Sequence, residues 1–209
     1  MFSLQTIFGK GDMFYGLLEA SADAAGQSTR ALIALLDAPV STRSLDEFRV
    51  ARRREKELFA KISQALVDTF VTAIDREDIE ALAAALYKIP KTVEKFAERY
   101  VLFSDRLADV DFASRAAMLE KATDVIVQMT SQLRRGFRLD VMRDLNERMQ
   151  SIESEADRLI LDLYQDLFTN ERDPAKLLLR KDLFELLEKA IDRCRDAGNV
   201  IYQIVLKNS

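Results

Sequence analysis

Residues 155–168 read EADRLILDLYQDLF, and residues 54–67 read REKELFAKISQALV. Laid one on the other, Leu58 falls on Leu159, Ile62 on Leu163 and Leu66 on Leu167. An apolar residue every fourth position lines one face of an α-helix, and the same face recurring about a hundred residues later points to an internal repeat. A second pair extends the match, because Asp78-Ile79-Glu80-Ala81-Leu82 lies on Asp182-Leu183-Phe184-Glu185-Leu186 in the following helix of each half.

Helical spacing continues outward from these segments. It runs from about Met13 to Leu36, where Pro39 stops it, and from Ser44 or Asp46 to about Phe70. Asp75 followed by Arg76-Glu77-Asp78 reads as a cap with acids in the first turn of a third helix, which reaches Tyr100 and is kinked by Pro90 near Leu86. The second half reads as three more helices: about Asp111 to Arg135, Asp140 to Phe168, and Pro174 to Lys207. The expected fold is therefore all-α, six long helices as two repeated three-helix bundles. Residues 1–12 form a mobile lead-in, 13–108 the first bundle and 109–209 the second.

The counts agree with long helices. Of 209 residues, six are Gly and three Pro, and Gly9, Gly11 and Gly16 all fall in the lead-in or just after it, which leaves little turn chemistry for a sheet. The absence of His removes imidazole-based triads, zincins and the Glu-x-x-His pairs of di-iron bundles, so no enzyme is expected. One cysteine, Cys194, permits neither an internal disulfide nor a Cys-rich cluster, and no signal peptide or membrane span is visible, so a cytoplasmic protein is expected. A net charge of −4 gives no overall attraction to nucleic acid. Gly9-Lys10-Gly11-Asp12 lacks the spacing of a phosphate-binding P-loop. Phe2, Leu4, Ile7 and Phe8 read as an apolar end tucked against the bundle. Among the aromatics, Phe48, Phe59, Phe70, Phe96, Tyr100, Phe103, Tyr164, Phe168, Phe184 and Tyr202 read as core, with Tyr87 the exception beside Lys88.

Two acidic constellations lie in the second half. Glu153, Glu155 and Asp157 sit within one helix, with Glu153 and Asp157 four apart. In the next helix Glu188, Asp192, Asp196 and Asn199 share a stripe. Like charges at that spacing repel by roughly 0.2–0.5 kcal/mol per pair, so a cation should face them. Oxygen-only ligands suit Mg, Ca, Mn or iron. The other reading is a solvated face neutralised by Arg158, Lys189, Arg193 and Arg195.

Thr69-Phe70-Val71-Thr72-Ala73-Ile74-Asp75-Arg76-Glu77-Asp78-Ile79, Glu153-Ser154-Glu155-Ala156-Asp157, the Lys181-to-Cys194 segment with Glu188-Lys189-Ala190-Ile191-Asp192-Arg193-Cys194, and the ending Ile204-Val205-Leu206-Lys207-Asn208 resemble the PhoU-related accessory proteins of Pit-type phosphate transporters. The likeness spans nearly the whole chain, with Ala73 standing where the family tends to have proline. It implies a PhoU-like regulator or accessory protein that binds a Pit-type phosphate transporter or a signalling protein, forms homo-oligomers and is peripheral to the membrane at most. It also implies that Glu153, Glu155, Asp157, Glu188, Asp192 and Asp196 match motifs able to hold an iron or zinc cluster. In the first half Arg54 and Lys56 stand where Glu155 and Asp157 stand, and Ala84 and Lys88 where Glu188 and Asp192 stand, so no cluster is expected there. Arg52, Arg53, Arg54, Lys56 and Lys88 then form either an anion or partner site, or the remnant of a lost one, salt-bridged with Glu55, Glu57 and neighbouring acids. A metal-free adaptor or oligomerisation module is the competing reading of the whole chain.

Overall fold

The computed structural model describes residues 4–107 and 110–209, with side chains from Asp12 onward. Among these are six α-helices and no strand: α1 Leu4–Asp37, α2 Asp46–Asp68, α3 Arg76–Leu102, α4 Ala113–Arg135, α5 Leu139–Asn170 and α6 Pro174–Asn208. Most boundaries fall where the apolar period and its punctuation place them. Pro174 opens α6, and the Asp173 carboxylate accepts from the amides of Ala175 at 2.9 Å and Lys176 at 3.4 Å. Gly136, at φ +108°, ends α4 in a conformation that an L side chain rarely adopts.

Three expectations are corrected in whole or in part. The stretch 4–12, read as lead-in, belongs to α1, since two glycines cost a helix only about 1 kcal/mol each and a long neighbour can carry them. The side chains of Phe2, Leu4, Ile7, Phe8 and the Gly9–Gly11 segment lie outside the described residues. Asp75 occupies the N-cap of α3 without a side-chain cap; its backbone carbonyl accepts from Asp78 and Ile79, both at 3.1 Å. Finally, Phe70, Phe103 and Phe168 are exposed, by 94%, 39% and 66%, because each lies at or just past a helix end beyond the reach of the core.

Within each half the three helices pack on one another, and the halves join through α1 against α4 and α3 against α6. Each of these contacts pairs a helix with its repeat counterpart. Both pairs run antiparallel. Arg134, near the end of α4, reaches Asp12 (3.1 Å) and Glu19 (2.9 Å) near the start of α1. Lys207 at the end of α6 reaches Asp78 at the start of α3 (2.7 Å), and Arg99 near the end of α3 pairs with Asp182 near the start of α6. Phe112 is stacked into this seam, 5.3 Å from Phe96 and 4.6 Å from Phe184 between ring centroids. The arrangement leaves α2 and α5 as outer helices, each packed on two inner ones. The α2–α3 and α5–α6 grooves are therefore equivalent places in the fold.

Candidate functional site

The α5–α6 groove gathers the acids. Glu153 and Asp157 occupy successive turns of α5, Asp192 comes from α6, and one carboxylate oxygen from each lies within 4.8 Å of the others. Two unit negative charges about 4 Å apart repel by roughly 1 kcal/mol in water and about 4 kcal/mol near a protein surface. Glu188, one turn before Asp192, feels the same field. Burial, and then the charges of Asp192, Asp157 and Glu185, push its carboxyl up to about 7. Burial raises Asp192 as well, against the pull of Arg195. A shallow depression beside the acids is lined by Ile160, Tyr164, Glu185, Glu188 and Asp192 together with the cations Lys189 and Arg193. On its rim Tyr164 donates to Glu185 and Lys181 pairs with the same carboxylate, which lowers Glu185; burial and then Glu185 push Tyr164 up to about 12.

Two of the six expected ligands stand apart. Glu155 is exposed and follows Glu153 by two residues, about 200° around the helix, so it cannot share that face. Asp196 is 2.8 Å from Arg193 and 3.9 Å from Arg195, and is drawn toward those cations. Arg195 also lies across the cluster itself, bonded to Glu153 and 3.7 Å from Asp192. This guanidinium is the cation that repulsion among the acids calls for, and 35% of its side chain is exposed. The donor set is all oxygen, which fits a hard divalent ion better than the nitrogen and sulfur preference of structural zinc. Cys194 next door is fully buried and its thiol is pushed up by that burial, so it supplies no thiolate.

The α2–α3 groove inverts the chemistry. In the repeat register Arg52 stands for Glu153, Lys56 for Asp157 and Lys88 for Asp192. Arg52 is not a surface cation: it is 6% exposed, donates from Nε to Glu94 at 3.1 Å and from Nη2 to the Tyr87 hydroxyl at 3.0 Å, and lies 4.6 Å from the centre of the Tyr87 ring. Arg54 donates to Gln27 on α1 at 2.9 Å. The side chains of Arg53, Lys56 and Lys88 are exposed and make no hydrogen bond or ion pair among the described residues; of the salt bridges with Glu55, Glu57 and neighbouring acids expected of a lost site, the one between Arg52 and Glu94 forms. Glu55 instead turns inward. It is 1% exposed, neither of its oxygens has a hydrogen bond of good geometry, and burial pushes it up to about 7 against the opposing charge of Arg52 and the neighbouring Ser21 hydroxyl. Sequence reasoning missed this carboxyl, and its signal was available: Glu55 lies one turn before Phe59 and three residues before Leu58 on the apolar side of α2.

No protein-family model matches the chain. Among curated proteins it is 27% identical over 140 residues to "UPF0111 protein YkaA" of Bacillus subtilis (strain 168), spanning 67% of this chain and 68% of that one. It is 24% identical over 201 residues to a Rhizobium meliloti (strain 1021) protein named "Putative pit accessory protein", spanning 94% of both. Two solved structures from Shewanella oneidensis MR-1, one of a PhoU-like protein and one named "putative PhoU-like phosphate regulatory protein", superpose with TM-scores of 0.78 and 0.76 at 16% identity, each over 93% of this chain and 99% of the other. The resemblance to PhoU-related Pit accessory proteins is thus borne out by both sequence and structure, and the fold is PhoU-like.

Proposed function

We propose that this chain is a non-enzymatic accessory protein of inorganic phosphate transport, acting from the cytoplasmic side by binding a transporter and carrying a carboxylate-held divalent cation in the α5–α6 groove. The observation that carries the transport reading is the alignment, over 94% of both chains, with a relative named for accessory function to Pit. The PhoU-like fold supports it. No described helix is long and apolar enough to cross a membrane, so a role at the membrane would run through partner contact.

The convergence of Glu153, Asp157 and Asp192 supports the cation reading. These three would hold the ion, Glu188 would complete the set on giving up its proton, and Arg195 would leave Glu153 for Asp196 and solvent. A bound ion would supply charge neutralisation that clamps α5 to α6. Expected outcomes are a change in phosphate uptake when the gene is deleted, and retention of about one divalent ion or a small cluster by the purified chain, measured by elemental analysis. Unchanged uptake overturns the transport reading. A wild-type protein that retains no metal, and takes up none of Mg, Mn, Fe or Zn, overturns the cation reading.

A further inference from the structure

The segment 69–75, Thr-Phe-Val-Thr-Ala-Ile-Asp, joins α2 to α3 and is built to hold apolar side chains out in water. Its two ends are anchored inside, with Thr69 2% and Ile74 4% exposed. The Arg76 guanidinium donates back to the carbonyls of Leu66 and Thr69, tying off the end of α2, and the Thr72 hydroxyl donates to the Ile74 carbonyl at 2.7 Å. Between these ties Phe70 is 94% and Val71 50% exposed, with Val67, 79% exposed, on the last turn of α2. The equivalent junction of the second half is shorter and also leaves an aromatic out, since Phe168, the counterpart of Val67, is 66% exposed. There Arg180, the counterpart of Arg76, meets Glu171 at 3.3 Å, and α6 starts so early that only residues 171–173 separate it from α5.

An ordered loop that presents an aromatic side chain has already met the ordering cost of binding, and burying a Phe ring is favourable. Acids flank the tip in sequence. Asp68, Asp75 and Glu77 are exposed and make no ion pair among the described residues; Asp68 accepts from the Gln64 amide, Arg76 donates to backbone carbonyls, and Lys207 pairs with Asp78 and also feels the charges of Asp75 and Glu77. We propose that the Phe70 tip is the docking anchor for a Lys/Arg-rich cytoplasmic loop of a polytopic membrane transporter, with Phe70 and Val71 entering an apolar pocket and Asp68, Asp75 and Glu77 facing the basic rim. Cytoplasmic loops of membrane proteins carry an excess of Lys and Arg, which matches this rim. An anionic lipid surface repels it, and a second copy docked tip to tip would set its acids against their like. This inference rests on the transporter-binding reading above.

The test measures binding of the full chain to a Pit-type phosphate permease in nanodiscs of neutral lipid, comparing wild type with Phe70→Ala/Val71→Ser and with Asp68→Asn/Asp75→Asn/Glu77→Gln. The apolar variant should weaken binding about tenfold or more with an unchanged melting temperature. The acid variant should weaken it by about threefold and flatten its salt dependence. Wild-type binding that the apolar variant retains within twofold overturns the tip and leaves the transporter reading standing. Absence of wild-type binding overturns both. Phe70-dependent binding to protein-free phosphatidylserine vesicles, or Phe70-dependent self-association on gel filtration, overturns the tip in favour of lipid or of a second copy.

Discussion

The two outer grooves occupy equivalent places and carry opposite chemistry. Where α5 and α6 bring Glu153, Asp157 and Asp192 together, α2 and α3 place Arg52, Lys56 and Lys88. The substitution is more than a change of sign. In the second half the arginine, Arg195, lies across the surface of the cluster. In the first, Arg52 is buried under Tyr87 and bonded to Glu94, and a carboxyl, Glu55, lies inside where the second half has Ala156. The two grooves share one frame of four inner helices, yet one carries an acid cluster bridged by a surface arginine and the other a buried polar cluster.

Removing the two arginines gives the widest separation. Arg52→Ala should destabilise the protein by about 3–5 kcal/mol, since it leaves Glu94 without its buried partner and Glu55 without its largest opposing charge. Arg195→Ala, at a part-exposed site, should change stability by less than about 1 kcal/mol and tighten divalent-ion binding. Urea titrations and metal-binding isotherms on both variants check this; equal destabilisation would erase the distinction between the grooves. Next in size is the ligand test. Asp157→Asn with Asp192→Asn should lower divalent-ion affinity about a hundredfold, or about 2.7 kcal/mol, as read by calorimetry.

A smaller effect should come from Glu55. Its folded-state value of about 7 lies above the ordinary carboxyl range, so the folded protein holds the proton more tightly than the unfolded chain. The stability this provides is full below about pH 4.5 and is lost as pH rises toward and through 7, on the order of 1–3 kcal/mol. Glu55→Gln should flatten the stability profile between pH 5 and 8 in chemical denaturation, and an unchanged slope would show that the interior of the first half is not its source. The smallest change is expected from Lys56→Asp with Lys88→Asp. These are exposed sites, so stability should move by no more than about 0.5 kcal/mol. No metal site should appear, because Arg52 still holds the position of Glu153; elemental analysis checks it.

Much of this was legible in the chain. The apolar period, Pro39, Gly136 and Pro174 mark helix limits through local backbone physics, and the i, i+4 relation of Glu153 and Asp157 is a helix property that needs no tertiary contact. The selection among the six candidate acids was not legible, because it depends on which turn of α6 faces which turn of α5. Nor was the exposure of Phe70 and Phe168: an aromatic that continues a helical stripe past the end of its packing partner looks the same in sequence as one inside it.

The sequence by itself determined the helices, the repeat and the charge carried by each outer groove, since these follow from residue spacing along one chain. Only the tertiary structure decided that Arg52 and Glu55 are buried, that Arg195 spans the acids, and that Phe70 stands in water between two anchored ends. Those outcomes turn on the solvent and partners each side chain finds once helices distant in sequence have packed. The free energy of a charge or an aromatic ring is set by those surroundings.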